Sequence, residues 1–208
     1  MTVPSTPLRA TDASRDRILA AAARLFAQMG FQGTSFGAVA AASGQSKALV
    51  QYHFPSKDAL WQASLRFIVA QRDQLLPQYL DPAFLNRLDA QEQNQMIRNL
   101  CRQLIRFSIR HPEWIRILYQ EAAAPGPRLD WMIEEFLGQD LRNGKAMIEM
   151  AQTRGLLPTL DPYHLLHILS GALFHIVNIA PILQKAQGID PCSDDAIDGY
   201  VSTLMKLL

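Results

Sequence analysis

Residues 45–57 read QSKALVQYHFPSK, a segment that carries the signals of a short helix at both ends. Ser46 is a residue type whose side chain accepts a hydrogen bond from a first-turn amide of a helix. Pro55 cannot continue a helix because it has no backbone N–H, and Gly44 suits the left-handed turn that ends a preceding helix. We therefore expect a helix from Ser46 to Phe54 that follows an earlier helix after only two residues.

The residues upstream predict two more helices. Apolar residues recur at helical spacing over 18–26, between an N-cap at Ser14 and a stop at Gly30. Thr34 or Ser35 can cap a second helix. Three short helices with a tight turn between the second and the third are the layout of a helix-turn-helix, whose last helix enters the major groove of DNA. The alternative is that the three helices are packing units only.

Polar side chains on the third predicted helix suit contact with DNA. Lys47 and Gln51 are four residues apart and share a face with Gln45, which lies just before the helix. A Gln amide can pair with adenine, and a Lys ammonium can reach guanine or phosphate. Three nearby side chains are candidates for contact with the phosphate backbone: Tyr52, His53 and Lys57.

The charge of the chain is unevenly distributed. Its 208 residues are 49% hydrophobic and 19% charged, a composition typical of a folded protein, and the net charge of +1 argues by itself against a nucleic-acid partner. Residues 1–57, however, contain six basic and two acidic residues, for a net charge of +4, whereas the rest of the chain has a net charge of −3. The N-terminal part can therefore approach phosphate without the whole protein adhering to DNA.

The N-terminal segment closely resembles the DNA-binding domain of TetR-family transcriptional regulators over about 50 residues. The motifs that carry the resemblance are RILAAAARLF (17–26), GF (30–31), Thr34, VA (39–40), SG (43–44), SK (46–47) and YHFPSKDAL (52–60). The resemblance implies an all-helical protein with a larger second domain that binds a small molecule, forms a homodimer and lowers operator affinity when the ligand is bound. Carried over by position, the expected DNA contacts are Thr34, Gln45, Ser46, Lys47, Gln51, Tyr52, His53 and Lys57.

Three positions of this segment depart from the common family pattern. Gln45 stands where an apolar residue is usual, Ala48 replaces a frequent Gly, and Gln51 replaces a frequent Tyr. An amide at Gln51 can read a base, whereas the aromatic residue contacts phosphate. We therefore expect the family's mode of binding with an operator sequence particular to this chain.

Six further helices are predicted downstream, so the chain is expected to be all-α with about nine helices. They cover about 57–76 after an N-cap at Ser56, about 89–110, a segment that starts at Pro112, about 128–154, 162–187 and a segment from Ser193 to the C-terminus. The expected domains are a mobile tail over 1–13, a helix-turn-helix domain over 14–57 and a ligand-binding and dimerisation domain over 58–208.

The eighth predicted helix, 162–187, has a polar face without Lys or Glu. This face contains His164, His167, Gly171, His175 and Asn178. Such a face suits a ligand cavity or a subunit interface, although single histidines in apolar helices are also often hydrogen-bonded core residues. Pro181 is expected to kink the helix.

Aromatic residues in the middle of the chain can form the wall of an apolar cavity, or can simply belong to the core. Together with the polar face of the eighth helix, they make up the candidate ligand contacts: Phe107, Trp114, Trp131, Phe136, His167, Phe174, His175 and Asn178.

The eighth and ninth predicted helices are also the expected homodimer interface. The ninth has an apolar stripe that consists of Ile197, Tyr200, Val201, Leu204, Leu207 and Leu208, and this stripe can pack either on a second copy or on its own domain. The fifth predicted helix carries Arg98, Arg102, Arg106 and Arg110 at steps of four, either as a solvated face or as a surface that responds to anions.

Several other functions are disfavoured by the sequence. Cys101 and Cys192 have no C-x-x-C spacing, and no third ligand joins His164 and His167 at metal-ligand spacing, so no disulfide, metal or cofactor is expected. No catalytic motif is present, and no catalytic residue is assigned. The N-terminus lacks a secretory signal and no uninterrupted membrane span occurs, so a cytoplasmic protein is expected.

These observations predict a sequence-specific regulator that binds double-stranded palindromic DNA as a homodimer. It is expected to be a repressor that a small-molecule effector releases from its operator. The alternative is a DNA-binding regulator that answers to a protein partner or has no small-molecule effector.

Overall fold

The computed structural model describes residues 8–75 and 87–207, in which every regular element is a helix. The chain divides into two compact units. The first unit ends at Arg72 and also includes Glu113–Gln120, and the second comprises Asp73–Pro112 and Glu121–Leu208. This division corrects the expected boundary after residue 57. Leu60, Trp61 and Leu65, beyond that boundary, are almost completely buried, and they join the first unit.

The first unit begins with four helices: α1 (Leu8–Gly33), α2 (Phe36–Ser43), α3 (Lys47–His53) and α4 (Lys57–Leu75). Because α1 starts at Leu8, residues 8–13 are helical and the expected mobile tail over 1–13 is wrong for them; residues 1–7 lie outside the described residues. Gly30, with φ 70° and ψ 175°, interrupts the helix where a stop was expected.

The other helix signals of this unit act as predicted, whereas Ser14, the expected N-cap of the first helix, lies inside α1. Ser46 accepts a hydrogen bond from the amide of Leu49 at 3.1 Å, and Ser56 accepts one from Ala59 at 3.0 Å. Of the two alternatives for α2, Ser35 is the cap. Gly44 ends α2 with φ 66°, a left-handed conformation that favours glycine. These contacts join residues three positions apart, so local sequence specifies them.

Aromatic and aliphatic side chains fill the core of the first unit. Phe31 stacks on Phe26 with ring centroids 6.0 Å apart, and meets the edge of Trp61 at 6.5 Å. Ile18 and Val50, from α1 and α3, are completely buried. Each such side chain contributes about 1.5–3 kcal/mol when it leaves water, so this core stabilises the helices of the first unit.

The second unit contains α5 (Ala90–Arg110), α7 (Pro127–Met132), a π-helical turn (Ile133–Leu137), α8 (Gly138–Thr153), α9 (Pro162–Asn178), α10 (Ala180–Gln187) and α11 (Asp194–Leu207). The helix between α5 and α7 is α6 (Pro112–Ala123), whose residues 113–120 belong to the first unit.

Two of the predicted helices are interrupted. The seventh is divided by the π-helical turn into α7 and α8. The eighth is divided at Ile179 into α9 and α10, which are bent by 57°. Pro181 explains the second break because it cannot donate the backbone hydrogen bond that a continuous helix requires, and the expected kink is confirmed.

The main core of the second unit joins α5, α9 and α11. Cys101 and Ile105 from α5 pack with Leu173 from α9 and with Ile197 and Val201 from α11. Three members of the apolar stripe of the ninth predicted helix, Ile197, Val201 and Leu204, therefore pack on their own unit, and the subunit interface expected on the eighth and ninth predicted helices must use other side chains of these helices. The final two members of the stripe do not share this core, since Leu207 is 79% exposed and Leu208 lies outside the described residues.

Among the described residues, no single helix is long and apolar enough to cross a membrane. The bent pair of α9 and α10 reaches the required length and composition only when both helices are counted together.

Candidate nucleic-acid interface

α3 presents one apolar and one polar face. Val50 is completely buried and Phe54, which caps the helix, is 3% exposed. Lys47 and Gln51 on the same helix are exposed, and Tyr52 is 81% exposed. The buried face fixes the orientation of the helix, so the side chains that the sequence assigned to DNA point away from the protein core.

Lys47 and Gln51 lie beside the start of α2. With Lys57 and residues 34–37 they line a concave surface of about 380 Å³. The first amides of a helix have no partner within the helix and carry its positive dipole end. Two lysines and the start of α2 thus border one concavity, an arrangement that suits a DNA phosphate.

Lys57 is held in position by contacts with α1. Its Nζ lies 4.5 Å from the ring centroid of Phe31 and donates a hydrogen bond of 3.4 Å to the carbonyl oxygen of Gln32. A cation over an aromatic face is attracted by the ring quadrupole. The ammonium group is therefore placed at the concave surface before any partner arrives.

Two of the expected DNA contacts are placed differently. Thr34 borders the concave surface but is only 2% exposed, and its hydroxyl donates a hydrogen bond to the carbonyl oxygen of Gly30 at 2.9 Å, so its side chain also braces the break in α1. The Nε2 atom of His53 is buried without a hydrogen-bond partner in the described structure. Its ring packs between Tyr52 and Phe54, at 5.4 and 6.1 Å. A phosphate contact from this nitrogen is not available in this conformation.

The remaining candidates stay predictions. Gln45 is half-buried and donates its backbone amide to the carbonyl oxygen of Ala40 at 3.0 Å. The hydroxyl oxygen of Ser46 caps α3 and is exposed, so its O–H can still donate to a phosphate.

The aromatic candidates for ligand contact are mostly buried. Phe107, Trp114 and Phe136 are 4–6% exposed, Phe174 is half-buried, and Trp131 meets the face of Phe136 edge-on at 5.7 Å. Trp114 belongs to the first unit and the others to the second.

The polar candidates for ligand contact lie on a different kind of surface. His167, His175 and Asn178 are exposed on α9, opposite the side that carries buried Leu165 and Leu173. The structure thus places these three side chains at the surface of α9, and their role as ligand contacts stays a prediction. Of the alternatives for this face, a core position is excluded and a subunit interface also remains.

Comparison with known proteins decides the family. A sequence model described as "Bacterial regulatory proteins, tetR family" matches residues 18–63. The HTH-type transcriptional regulator RutR of Escherichia coli K12 is 32% identical over 184 residues, which are 86% of this chain and 81% of RutR. The chain belongs to the TetR family. It is accordingly a DNA-binding transcriptional regulator, as the resemblance of residues 17–60 implied.

Other matches agree with the TetR-family assignment. The HTH-type transcriptional repressor NicS of Pseudomonas putida KT2440 is 28% identical over 147 residues, covering 70% of this chain and 66% of NicS. The crystal structure of AibR with isovaleryl coenzyme A and operator DNA has a TM-score of 0.69 at 21% identity, over 93% of this chain and 97% of AibR. A regulator from Saccharomonospora viridis in complex with choline has a TM-score of 0.62 at 22% identity, over 94% and 96% of the two chains.

Sequence reasoning missed a buried ion pair in the second unit of this TetR-family regulator. Glu121 is 5% exposed, and the Nε of Arg128 lies 3.0 Å from both of its carboxylate oxygens. The pair spans the loop Pro125–Pro127. A carboxylate within the apolar run of α6, followed closely by Arg after a Pro-Gly-Pro turn, is the signal that could have revealed it. Removal of either partner would leave a poorly solvated charge.

The environment of both cysteines of this TetR-family regulator disfavours the thiolate form. Burial raises the pKa of the Cys101 thiol to about 11, so the thiolate is scarce at neutral pH. Burial and the neighbouring carboxylate of Asp190 also raise the pKa of Cys192. Within the described residues no cluster of His, Cys, Asp and Glu is arranged to hold a metal ion.

Proposed function

We propose that this TetR-family regulator is a homodimeric repressor that leaves a palindromic operator when it binds a small molecule. The observation that carries the DNA-binding part is the concave surface on which Lys47 and Gln51 of α3 adjoin Lys57 and the start of α2. A two-fold dimer would place two such surfaces about 34–36 Å apart, or a multiple of it, along the DNA.

Relatives support the repressor and effector parts of the proposal. NicS is named a repressor, and AibR was crystallised with both a coenzyme A thioester and operator DNA. By analogy, the effector of this chain would bind in the second unit, where buried Phe107 and Phe136 and half-buried Trp131 and Phe174 supply apolar contacts. A regulatory role, rather than catalysis, is proposed for the whole chain.

Two continuous helices can transmit the effector signal. α4 starts at Lys57, beside the DNA surface, and the division between the units falls within it, after Arg72. α6 contributes residues 113–120 to the first unit and its two ends to the second. Any displacement of these helices by ligand therefore reaches the DNA-binding unit through the backbone.

Contacts inside the first unit couple both helices to the DNA-binding helices. The guanidinium carbon of Arg72 in α4 lies 5.7 Å from the ring centroid of Trp114 in α6. Gln120 of α6 donates a hydrogen bond to the carbonyl oxygen of Ala27 in α1 at 2.9 Å. A ligand that favours one arrangement of α4 and α6 would shift the population of DNA-competent dimers.

The test begins with selection of genomic DNA fragments by the purified full chain, followed by titration of a selected fragment. We expect a palindromic sequence whose binding weakens in Lys47→Ala at every site tested, with a salt slope reduced by about 1. The matched control is Lys145→Ala, which removes the same charge from the surface of α8 and should leave DNA binding unchanged.

Two results would contradict the proposal. Equal binding by the wild type and Lys47→Ala would remove α3 from the DNA interface. Screening of metabolites against the protein–DNA complex tests the effector: a ligand that binds the protein tightly without altering operator affinity would exclude release by that ligand. Operator release that requires another protein would favour the alternative regulator.

A further inference from the structure

Three of the five histidines of the chain lie on one exposed face of α9. We call His164, His167 and His175 the α9 histidine face. The helix sequence PYHLLHILSGALFHIVN contains no Asp, Glu, Lys or Arg. Ile168, on the same side, is 62% exposed. An exposed helix side with apolar and His residues but without permanent charges differs from an ordinary solvated surface and resembles one that is covered by a partner.

Gly171 lies within this face, four residues from both His167 and His175. A Cβ atom built on Gly171 would meet no atom within 4 Å, and its φ is not in the left-handed region. Nothing in the described part of the chain therefore requires glycine here, although glycine destabilises the interior of a helix relative to alanine. Glycine at this position would allow the backbone of another helix to approach closely.

A second copy of this chain is the occupant that fits the face. An isologous two-fold contact places the same surface on both sides, so it demands a surface that does not repel itself. α9 meets this condition when its imidazoles are neutral, because it has no permanent charge. The adjoining α10 extends the same apolar character through Ile182, which is 63% exposed.

We propose that protonation of the α9 histidine face controls association of the two subunits. The dimer forms when His164, His167 and His175 are neutral and weakens when they become charged. This inference rests on the homodimer of the proposed function and adds a regulatory input to it, since only the dimer presents two DNA surfaces to a palindrome.

The direction of the pH effect on subunit association follows from the solvation of the imidazole rings and from the repulsion between them. Imidazole changes its charge between about pH 5 and 8. In the separate chain the exposed rings are hydrated in either form, whereas a two-fold contact brings the rings of both copies together and removes water from them. Both effects disfavour the charged form in the dimer. Association is therefore strongest above this range and is lost as the pH falls through it.

Neighbouring charges identify which histidines matter most. The Oδ1 of Asp161 lies 3.9 Å from the Nδ1 of His164, and this carboxylate offsets a positive charge on that ring. His167 and His175 have no ion pair of this kind among the described residues, so they should contribute more of the pH dependence. The charged groups on the helices around α9 are Glu92, Arg98, Arg102, Arg106 and Arg110 on α5, Asp140, Arg142, Lys145 and Glu149 on α8, Lys185 on α10, and Asp194, Asp195, Asp198 and Lys206 on α11.

The acids on these neighbouring helices have other partners where the structure defines them. Asp198 and Asp194 pair with Arg102 and Arg106, and Glu149 pairs with Lys145. They are therefore poorly placed to neutralise charged His167 and His175.

Sedimentation velocity of the purified full chain, without DNA, tests the proposal at about pH 8 and about pH 5.5. We expect the dimer dissociation constant to rise by about tenfold or more at the lower pH, as linkage predicts for sites that lose proton affinity on association. His167→Gln combined with His175→Gln should remove most of this rise. The matched control, His111→Gln, changes a histidine outside the face and should keep it.

The outcomes separate this inference from the proposed function. Equal dissociation constants at the two pH values, or a double variant that behaves like the wild type, would overturn the pH control and leave the homodimer intact. A monomer at both pH values would overturn the homodimer as well.

A second measurement uses only the wild type. Heats of dilution near pH 6.5, in two buffers with different ionisation enthalpies, report protons taken up on dissociation. We expect the heat per mole of dimer to differ between the buffers; identical heats would overturn the proposal.

Discussion

α3 and α5 carry similar cationic or polar side chains four residues apart, but the fold gives them opposite roles. On α3, Lys47 and Gln51 face outward and border a concave surface. On α5, Arg102 and Arg106 pair with Asp198 and Asp194 of α11, which are also four residues apart. The same spacing occurs on a candidate DNA surface in one unit and in ion pairs between two helices in the other. The two roles differ because a helix from a distant part of the sequence places acidic side chains beside the arginines of α5.

α3 and α11 are held in place by different kinds of interaction. α3 is fixed by local caps and a buried aromatic core, whereas α11 is fixed by apolar packing and long-range ion pairs. Four experiments test this distinction, in order of decreasing expected effect.

The largest effect is expected for Trp61→Ala. Trp61 is 1% exposed and meets Phe31 edge-on, so truncation should cost about 3–5 kcal/mol of unfolding free energy. Urea unfolding measures the loss, and hydrogen exchange should locate it in the first unit, with α5 and α11 less affected. Equal loss of protection in both units would show that the units are not separate in stability.

Gln51→Ala should change specificity rather than overall affinity. Loss of an amide that pairs with a base should relax preference at one base pair by about 1–3 kcal/mol. Titrations against single-base operator variants measure this, with Lys47→Ala as the comparison because its effect should be similar on all sequences. An unchanged preference profile for Gln51→Ala would remove the assigned role in base reading.

Ser46→Ala and Ser193→Ala form a matched pair of cap deletions. Ser46 accepts from the amide of Leu49 at 3.1 Å in the first unit, and Ser193 accepts from Ala196 at 3.3 Å in the second. Each should lower the unfolding free energy by about 1 kcal/mol. Only Ser46→Ala should also weaken operator binding, because only α3 carries DNA contacts. Equal effects of the two variants on operator affinity would contradict this.

The smallest effect is expected from the ion pair on α11. Asp194 has a side chain that is 78% exposed, so its pair with Arg106 is well screened. A double-mutant cycle with Asp194→Asn and Arg106→Gln should give a coupling of less than about 1 kcal/mol, which decreases with salt. A larger, salt-independent coupling would mean that the ion pair, rather than the apolar core, holds α11 in place.

Local signals predicted the first unit well. The caps Ser46 and Ser56 and the left-handed Gly44 occupy their expected places, because each depends on residues within a few positions in the sequence. The family assignment rested on the same segment. The burial of Thr34 and of the Nε2 atom of His53 was not predicted, since burial depends on which side chains from distant positions pack around them.

The second unit was predicted in outline only. Its helices and the kink at Pro181 could be predicted from proline and glycine residues at the helix boundaries. Which helix packs against which could not. Part of the apolar stripe of α11 packs against Ile105 of α5, and the polar face of α9 is exposed. Neither position could be read from the sequence of one helix.

The sequence by itself determined that this protein is all-helical, that its N-terminal segment is a TetR-family helix-turn-helix and that α3 carries its candidate reading residues. Helix periodicity, caps and breaks act over a few residues, so they can be read along the chain. Only the tertiary structure decided that Thr34 is internal, that Glu121 meets Arg128 and that the α9 histidine face is exposed. Those outcomes depend on contacts between residues that need not be neighbours in sequence, and the packing of whole helices decides them.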